Sequence, residues 1–406
     1  MRIFVPFLFC FSGSLIAESL DLRTAESVIL EKSFDLKSDE ENVRIAEENA
    51  SAYYGKILPK LDVSQSFKDK GLPQTSVSVS EAVPYPLDWW KQKQIRDNSV
   101  AIASRTKSLK RQSLVNELRK LYFNVKLREK QREIVLQNLA IVENFRTESR
   151  ERFANGFISE SDRQRSEIDL LTLRQQLLKT DADLRSDKEK LGILLEWNTS
   201  FMLTTSMQLS DKFIALKEES LRQNLNMQES DNIAVRKLQS ENADLLVESF
   251  PYRYLPEISL QAKVPIDREK SPPVYSASLT WNLFNGGVDR TEHRKALWAR
   301  EQRAYEFHKQ MQDFQIDGRR LIAQILERKS RYSLQNDAFK MYENIVASSQ
   351  KRFHAGAISS QDLSLDIRSY LEHANLLYQT TYDALSSLAD FALLVGKEEL
   401  FYDFLY

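Results

Sequence analysis

The stretch that decides the fold is Arg152-Phe153-Ala154-Asn155-Gly156-Phe157-Ile158-Ser159, followed by Asp162. It returns as Arg352-Phe353-His354-Ala355-Gly356-Ala357-Ile358-Ser359, followed by Asp362, with every shared position offset by 200 residues. Each copy lies between two long stretches patterned as helix. Arg-Phe ends one helix, and Gly156 or Gly356 takes the left-handed conformation that terminates it. Ser159 or Ser359 then caps the next helix, and the Asp three residues on suits the positive helix end. The signature reads as a helix–turn–helix tip. Two copies in register make the chain a tandem duplication.

Around each tip the same plan unfolds. Asp88 to Phe153 contains no Pro or Gly. Leu118, Leu121, Tyr122 and Val125 follow the helical i, i+3, i+4, i+7 rule. More than 60 such residues make a rod of roughly 95 Å, which needs partners along its whole length. Ser159 to Leu195 runs back, with Ile168, Leu171 and Leu178 on its apolar face. Val288 to Phe353 and Ser359 to Val395 repeat the pair, the former interrupted by one glycine, Gly318.

At the far ends of the rods the period changes to two. Helical stretches, Leu22 to about Lys56 and Glu218 to about Ser249, stop at Ile57-Leu58-Pro59 and Tyr254-Leu255-Pro256. Leu61, Val63, Gln65 and Phe67 then alternate with Asp62, Ser64 and Ser66, and Thr75 to Val83 alternates again beyond a polar turn over 68–73. In the second half the strands are Glu257 to Val264 and Val274 to Phe284, around a turn over 265–273. The strands suit a membrane hairpin with one apolar and one polar face. Tyr85, Trp89 and Trp90 close the first hairpin and suit a membrane interface. The organisation is a signal at 1–17, a first repeat at 18–200, a connector at 201–217, a second repeat at 218–396 and a tail at 397–406.

The bulk composition narrows the class. Among 406 residues only 10 are Gly and 10 Pro, and 28% are charged, which fits long solvated helices. The formal net charge of −1 argues against a nucleic-acid partner. Arg2, an apolar run from Ile3 to Ile16 and Ser14-Leu15-Ile16-Ala17 read as an export signal. The only cysteine, Cys10, lies inside it. No later run is long and apolar enough for a transmembrane helix, so membrane entry would require a closed β-barrel. There is no Gly-x-Ser-x-Gly and no phosphate loop, and the four histidines lack metal spacing. Neither catalysis nor a cofactor is expected.

Leu58-Pro59 and Leu255-Pro256, the junction Trp281-Asn282-Leu283-Phe284-Asn285-Gly286-Gly287, the two tips and the opening Leu20 to Lys37 together resemble the TolC-type outer-membrane efflux proteins. The resemblance covers the mature chain. It implies a mainly helical fold with a small β-barrel portion. Three copies would combine four strands each into a 12-stranded barrel and their helical hairpins into an α-barrel. It places the chain in the outer membrane of a diderm bacterium, extending into the periplasm. A periplasmic adaptor would meet the tips and link them to an inner-membrane pump. The expected role is a passive exit duct for efflux or type I secretion. The transported substrate, whether drug, metal or protein, is left open. The alternative is a periplasmic coiled-coil scaffold without membrane insertion.

The candidate sites divide three ways. The docking tips comprise Arg152, Phe153, Gly156, Ile158, Ser159, Arg352, Phe353, Gly356, Ile358 and Ser359. Arg152 and Arg352 either bond the last carbonyls of their helices or reach an adaptor, and Phe153 and Phe353 either pack under the tip or dock a partner. Candidates for a gated entrance are Asp362, Asp366 and Asp162; the first is set by the resemblance, in which acidic residues ring the closed mouth. Leu365 stands at the second such position, with Asp366 one step later. Interface aromatics are Tyr85, Trp89, Trp90, Trp281 and Phe284.

Overall fold

The computed structural model describes residues 18–55, 58–66, 74–197, 201–266 and 272–405. The expected export signal with Cys10, Ile57, Phe67, the turn over 68–73 and most of the turn over 265–273 lie outside these residues.

The two rods dominate. Helix α3 spans Pro86–Ala154 and helix α8 spans Val288–His354, with 69 and 67 residues, so each is about 100 Å long. Their return partners are α4, Glu160–Leu194, and α9, Ser360–Val395. Helix α3 packs on both α4 and α9, and α9 packs on α8. The lateral order is therefore α4, α3, α9, α8, which leaves α4 and α8 at opposite edges. Above them, α2 (Phe34–Gly55) and α7 (Asp231–Ser249) flank α3, and α7 also packs on α8.

Four strands cap the rods: β2, Lys60–Ser66; β3, Gln74–Val83; β5, Glu257–Pro265; and β6, Val274–Thr280. They form one antiparallel sheet in the order β2-β3-β5-β6. The two hairpins predicted from alternation therefore join through β3 and β5. The last strand is shorter than its pattern implies. It ends at Thr280, after which the Trp281 indole N–H donates to the Tyr254 carbonyl at 3.0 Å.

Midway along the rods a belt ties the halves together. Strand β1, Glu18–Leu20, runs parallel to β4, Phe201–Leu203, so the connector is anchored to the start of the chain. The Tyr122 hydroxyl donates to the Leu20 carbonyl at 2.8 Å and accepts the Thr205 N–H at 3.1 Å. Helix α1 is Leu22–Lys32, and α5, Asp211–Ile214, follows β4. The largest core gathers Tyr122, Phe123, Phe213, Phe391 and Phe401 here, the last from α10, Glu399–Asp403. Arg119, buried, pairs with Glu26 at 2.6 Å and lies 4.5 Å over the Phe401 ring. A second core lower down joins Ile134, Val142, Phe145, Leu170, Val346, Phe353 and Ile367.

Two expected helices are interrupted. Leu22 to Lys56 divides at Ser33, whose N–H bonds the Ile29 carbonyl at 3.0 Å while its hydroxyl accepts the Leu36 N–H at 3.4 Å. One residue thus ends a helix and opens the next. Glu218 to Ser249 divides into α6, Glu218–Asn224, and α7, with a 3-10 turn at Met227–Glu229 between them. The break drops Leu225 onto α8 at Gly318, where an added Cβ would sit 2.5 Å from a Leu225 methyl. Glycine in the middle of the rod makes the hole that Leu225 fills.

Candidate functional site

Both tips adopt the predicted geometry. Gly156 has φ +74° and Gly356 φ +72°. The Phe157 N–H bonds the Arg152 carbonyl and the Ala357 N–H the Arg352 carbonyl, each at 2.8 Å, closing the helix ends. Each following helix opens with a reciprocal capping box. The Asp162 N–H donates to the Ser159 hydroxyl at 3.2 Å, and the Asp362 N–H does the same to Ser359. The Ser359 N–H and hydroxyl donate back to the Asp362 carboxylate at 3.2 and 2.8 Å, which holds that carboxyl below its usual range.

Beyond these shared devices the tips differ. The Arg152 guanidinium donates to the Phe353 carbonyl at 2.9 Å and lies 4.6 Å over the Phe353 ring. Arg152 thus bonds the end of the other rod and not the last carbonyls of its own helix. Phe353 is 3% exposed and meets Phe145 edge-on at 4.9 Å, whereas Phe153 is 37% exposed under Arg163. Phe157, at the turn itself, is 78% exposed. Ile158 and Ile358 are half-buried.

The acidic candidates are already engaged. Asp162 and Asp362 serve their capping boxes. Asp366 accepts from the Ser349 hydroxyl on α8. The sequence reading missed Asp169, whose carboxylate accepts from Ser364 and Arg368 and links α4 to α9 near the tips. The available signal was the opposite charge of Asp169 and Arg368, ten and nine residues beyond the two cap serines. A cavity of about 290 Å³ beside this link is lined by Phe145, Arg165, Ser166, Leu365 and Arg368, among others.

At the other end, strand register sorts the side chains. Leu61 pairs with Val79, Val79 with Ala262, and Ile258 with Leu279. One face therefore carries Leu61, Val63, Val77, Val79, Ile258, Leu260, Val264 and Leu279. The opposite face carries Asp62, Ser64, Ser76, Ser78, Ser80, Ser259, Ser276 and Ser278. The hydroxyls of Ser64 and Ser76 lie 2.9 Å apart, and those of Ser259 and Ser278 2.6 Å apart. Ser78 is only 7% exposed while its neighbour Val79 is 40% exposed. Among the described residues, Glu81 alone puts a charge on the apolar face, opposite Leu260.

The aromatics gather where sheet meets rods. Tyr85 donates its hydroxyl to the Pro256 carbonyl, tying the first junction to the second. Trp89 is half-buried, 6.1 Å from the Tyr54 ring. Trp90, Trp281 and Phe284 are exposed. Among the described residues no group of three or more His, Cys, Asp or Glu is placed to hold a metal ion.

Comparison with known proteins agrees with this architecture. The model of the outer membrane efflux protein family matches residues 27–195. No curated protein matches the chain. The fold is similar to the CmeC outer membrane channel of Campylobacter jejuni, at TM-score 0.78 and 13% identity, covering 93% of this chain and 85% of that one. It is also similar to the outer membrane protein VceC of Vibrio cholerae, at TM-score 0.77 and 12% identity, covering 94% and 95%. The MtrE outer membrane channel of Neisseria gonorrhoeae, in its open state, matches at TM-score 0.77 and 14% identity, covering 92% and 88%. Residues 27–195 are therefore similar to the outer membrane efflux proteins, and the chain as a whole shares the fold of the CmeC, VceC and MtrE structures.

Proposed function

We propose that the chain is the outer-membrane exit duct of a tripartite efflux or type I secretion system, conducting solutes passively from periplasm to exterior. Three copies would close a 12-stranded barrel and an α-barrel beneath it. The tips would dock a periplasmic adaptor, through which an inner-membrane pump supplies the energy. Asp362, near the second tip, would line the mouth, with Leu365 at the second acidic position of the pattern and Asp366 one step later bonded to Ser349, and Trp90, Trp281 and Phe284 would sit at the lipid boundary.

One observation carries the reading: the sheet is apolar on one face and polar, rich in serine, on the other, with both edges, β2 and β6, unpaired among the described residues of a single chain. Backbone groups at an open edge cannot face lipid, so a sheet of this polarity enters a membrane by closing on itself. The edges α4 and α8 support the same closure. Counted from the tips at 1.5 Å per residue, Ile168, Leu171 and Leu178 of α4 stand at about 12, 17 and 27 Å. On α8, Ile345, Met341 and Leu334 stand at about 14, 20 and 30 Å. All six are exposed in the single chain. Two apolar seams at matching heights suit the α4 edge of one copy against the α8 edge of the next.

The test is cysteine accessibility in a chain with Cys10 replaced by Ser. In outer-membrane preparations, Ser78→Cys should react with a membrane-impermeant thiol reagent, and Val79→Cys should be shielded by lipid. Purified protein should conduct in a planar bilayer. Equal labelling of both positions, with the chain released from membranes by salt, would establish the scaffold instead.

A further inference from the structure

The two tips of one chain are joined by a four-residue contact that the duplication does not repeat. Glu148, on the last turns of α3, uses both carboxylate oxygens. Oε1 accepts from the Arg152 guanidinium at 2.7 Å, and Oε2 lies 3.3 Å from His354 Nδ1 at the end of α8. Arg152 in turn holds the Phe353 carbonyl at 2.9 Å and covers its ring. The residues at the corresponding offsets are Ser348 for Glu148 and Ala154 for His354, so the reciprocal contact has no counterpart.

The parts of this contact differ in what they respond to. The guanidinium is cationic at every physiological pH, so the Arg152 bonds are constant. Imidazole is the side chain that changes charge between about pH 5 and pH 8. His354 has an exposed side chain, open to protons from the surrounding solution. Its contact partner Glu148 is itself paired with Arg152 on α3, and Lys351 and Arg352 stand on the same last turn of α8. Of these only Glu148 attracts an imidazolium, and Glu148 is the one at contact distance.

We propose that Glu148 and His354 form a proton-sensitive clasp between the two hairpin tips. In acid, His354 carries a charge and Glu148 bridges two cations, one from each hairpin. As pH rises through the imidazole range, the His354 arm loses its ion pair and the tips are held through Arg152 alone. The clasp lies between hairpins of a single chain and does not depend on the duct reading. An exposed ion pair of this kind changes the closed population roughly two- to fivefold.

The test is a distance measurement in the full chain with Cys10 replaced by Ser. Spin labels go on Asn155→Cys and Ala357→Cys, exposed at the two turns. Labelled chains are diluted with unlabelled ones, so that only distances within a chain are read. At about pH 5.5 the short-distance population should exceed that at about pH 8. His354→Gln should abolish the difference, and His354→Lys should give the short-distance population at both values. An identical distribution at both pH values in the parent, or a difference that survives His354→Gln, would overturn the proposal.

Discussion

Each of the serines that open α4 and α9 does two jobs, and the second copy shows what each job contributes. The Ser359 hydroxyl accepts the Asp362 N–H while its own N–H and O–H donate to the Asp362 carboxylate. Two backbone N–H groups that a helix start leaves unsatisfied, those of Ser359 and Asp362, are thereby paired. Ser359→Ala removes the hydroxyl and should destabilise the first turn of α9 by about 1 kcal/mol. Hydrogen exchange at the Asp362 and Leu363 amides reads this directly, with faster exchange there and none in the middle of α9. The box also has a pH limit. Asp362 is held below the usual carboxylate range, so its contribution is present above that range and is lost as pH falls through it. Acid should therefore reproduce the Ser359→Ala exchange pattern. The cap residues were legible in sequence because the capping box is a local spacing. The partner of Arg152 was not, because it lies 201 residues away and depends on how two hairpins pack.

Elements obey local rules until something distant claims a residue. The long rods, the return helices and the four strands follow from periodicity and from the scarcity of Pro and Gly. The interruptions at Ser33 and at Leu225 do not, since neither position carries a helix-breaking residue. Ser33 stops a helix by capping the next one, and Leu225 leaves its helix to fill the hole over Gly318. The short tail was read only as aromatic, yet its helix α10 completes the main core. Phe401 is 1% exposed, packs at a tilt against Phe123 at 6.1 Å and lies under Arg119. Phe401→Ala removes a filled aromatic site and should cost about 3–5 kcal/mol. A thermal melt should show a clear fall in Tm, while Glu399→Ala, at an exposed position on the same helix, should leave it unchanged.

At the scale of the whole molecule, the single chain leaves apolar residues exposed along both of its edges. Leu178 on α4 is 72% exposed and Leu334 on α8 is 71% exposed, and neither belongs to a buried core cluster of its own chain. Rods of about 100 Å with apolar edges are not stable as free surfaces in water. If the α4 edge of one copy meets the α8 edge of another, these two leucines approach across the seam, at heights of about 27 and 30 Å from the tips. Within one chain, α3 and α9 lie between α4 and α8, so the same pair is too far apart to bridge. Leu178→Cys with Leu334→Cys, in a chain with Cys10 replaced by Ser, should therefore give oxidised species of two and three copies on a denaturing gel. Each single substitution should give none. A head-to-tail closed ring of three would show no larger ladder, whereas an open array of copies would extend beyond three. The number at which the ladder stops thus decides whether the sheet edges β2 and β6 close a barrel or remain free.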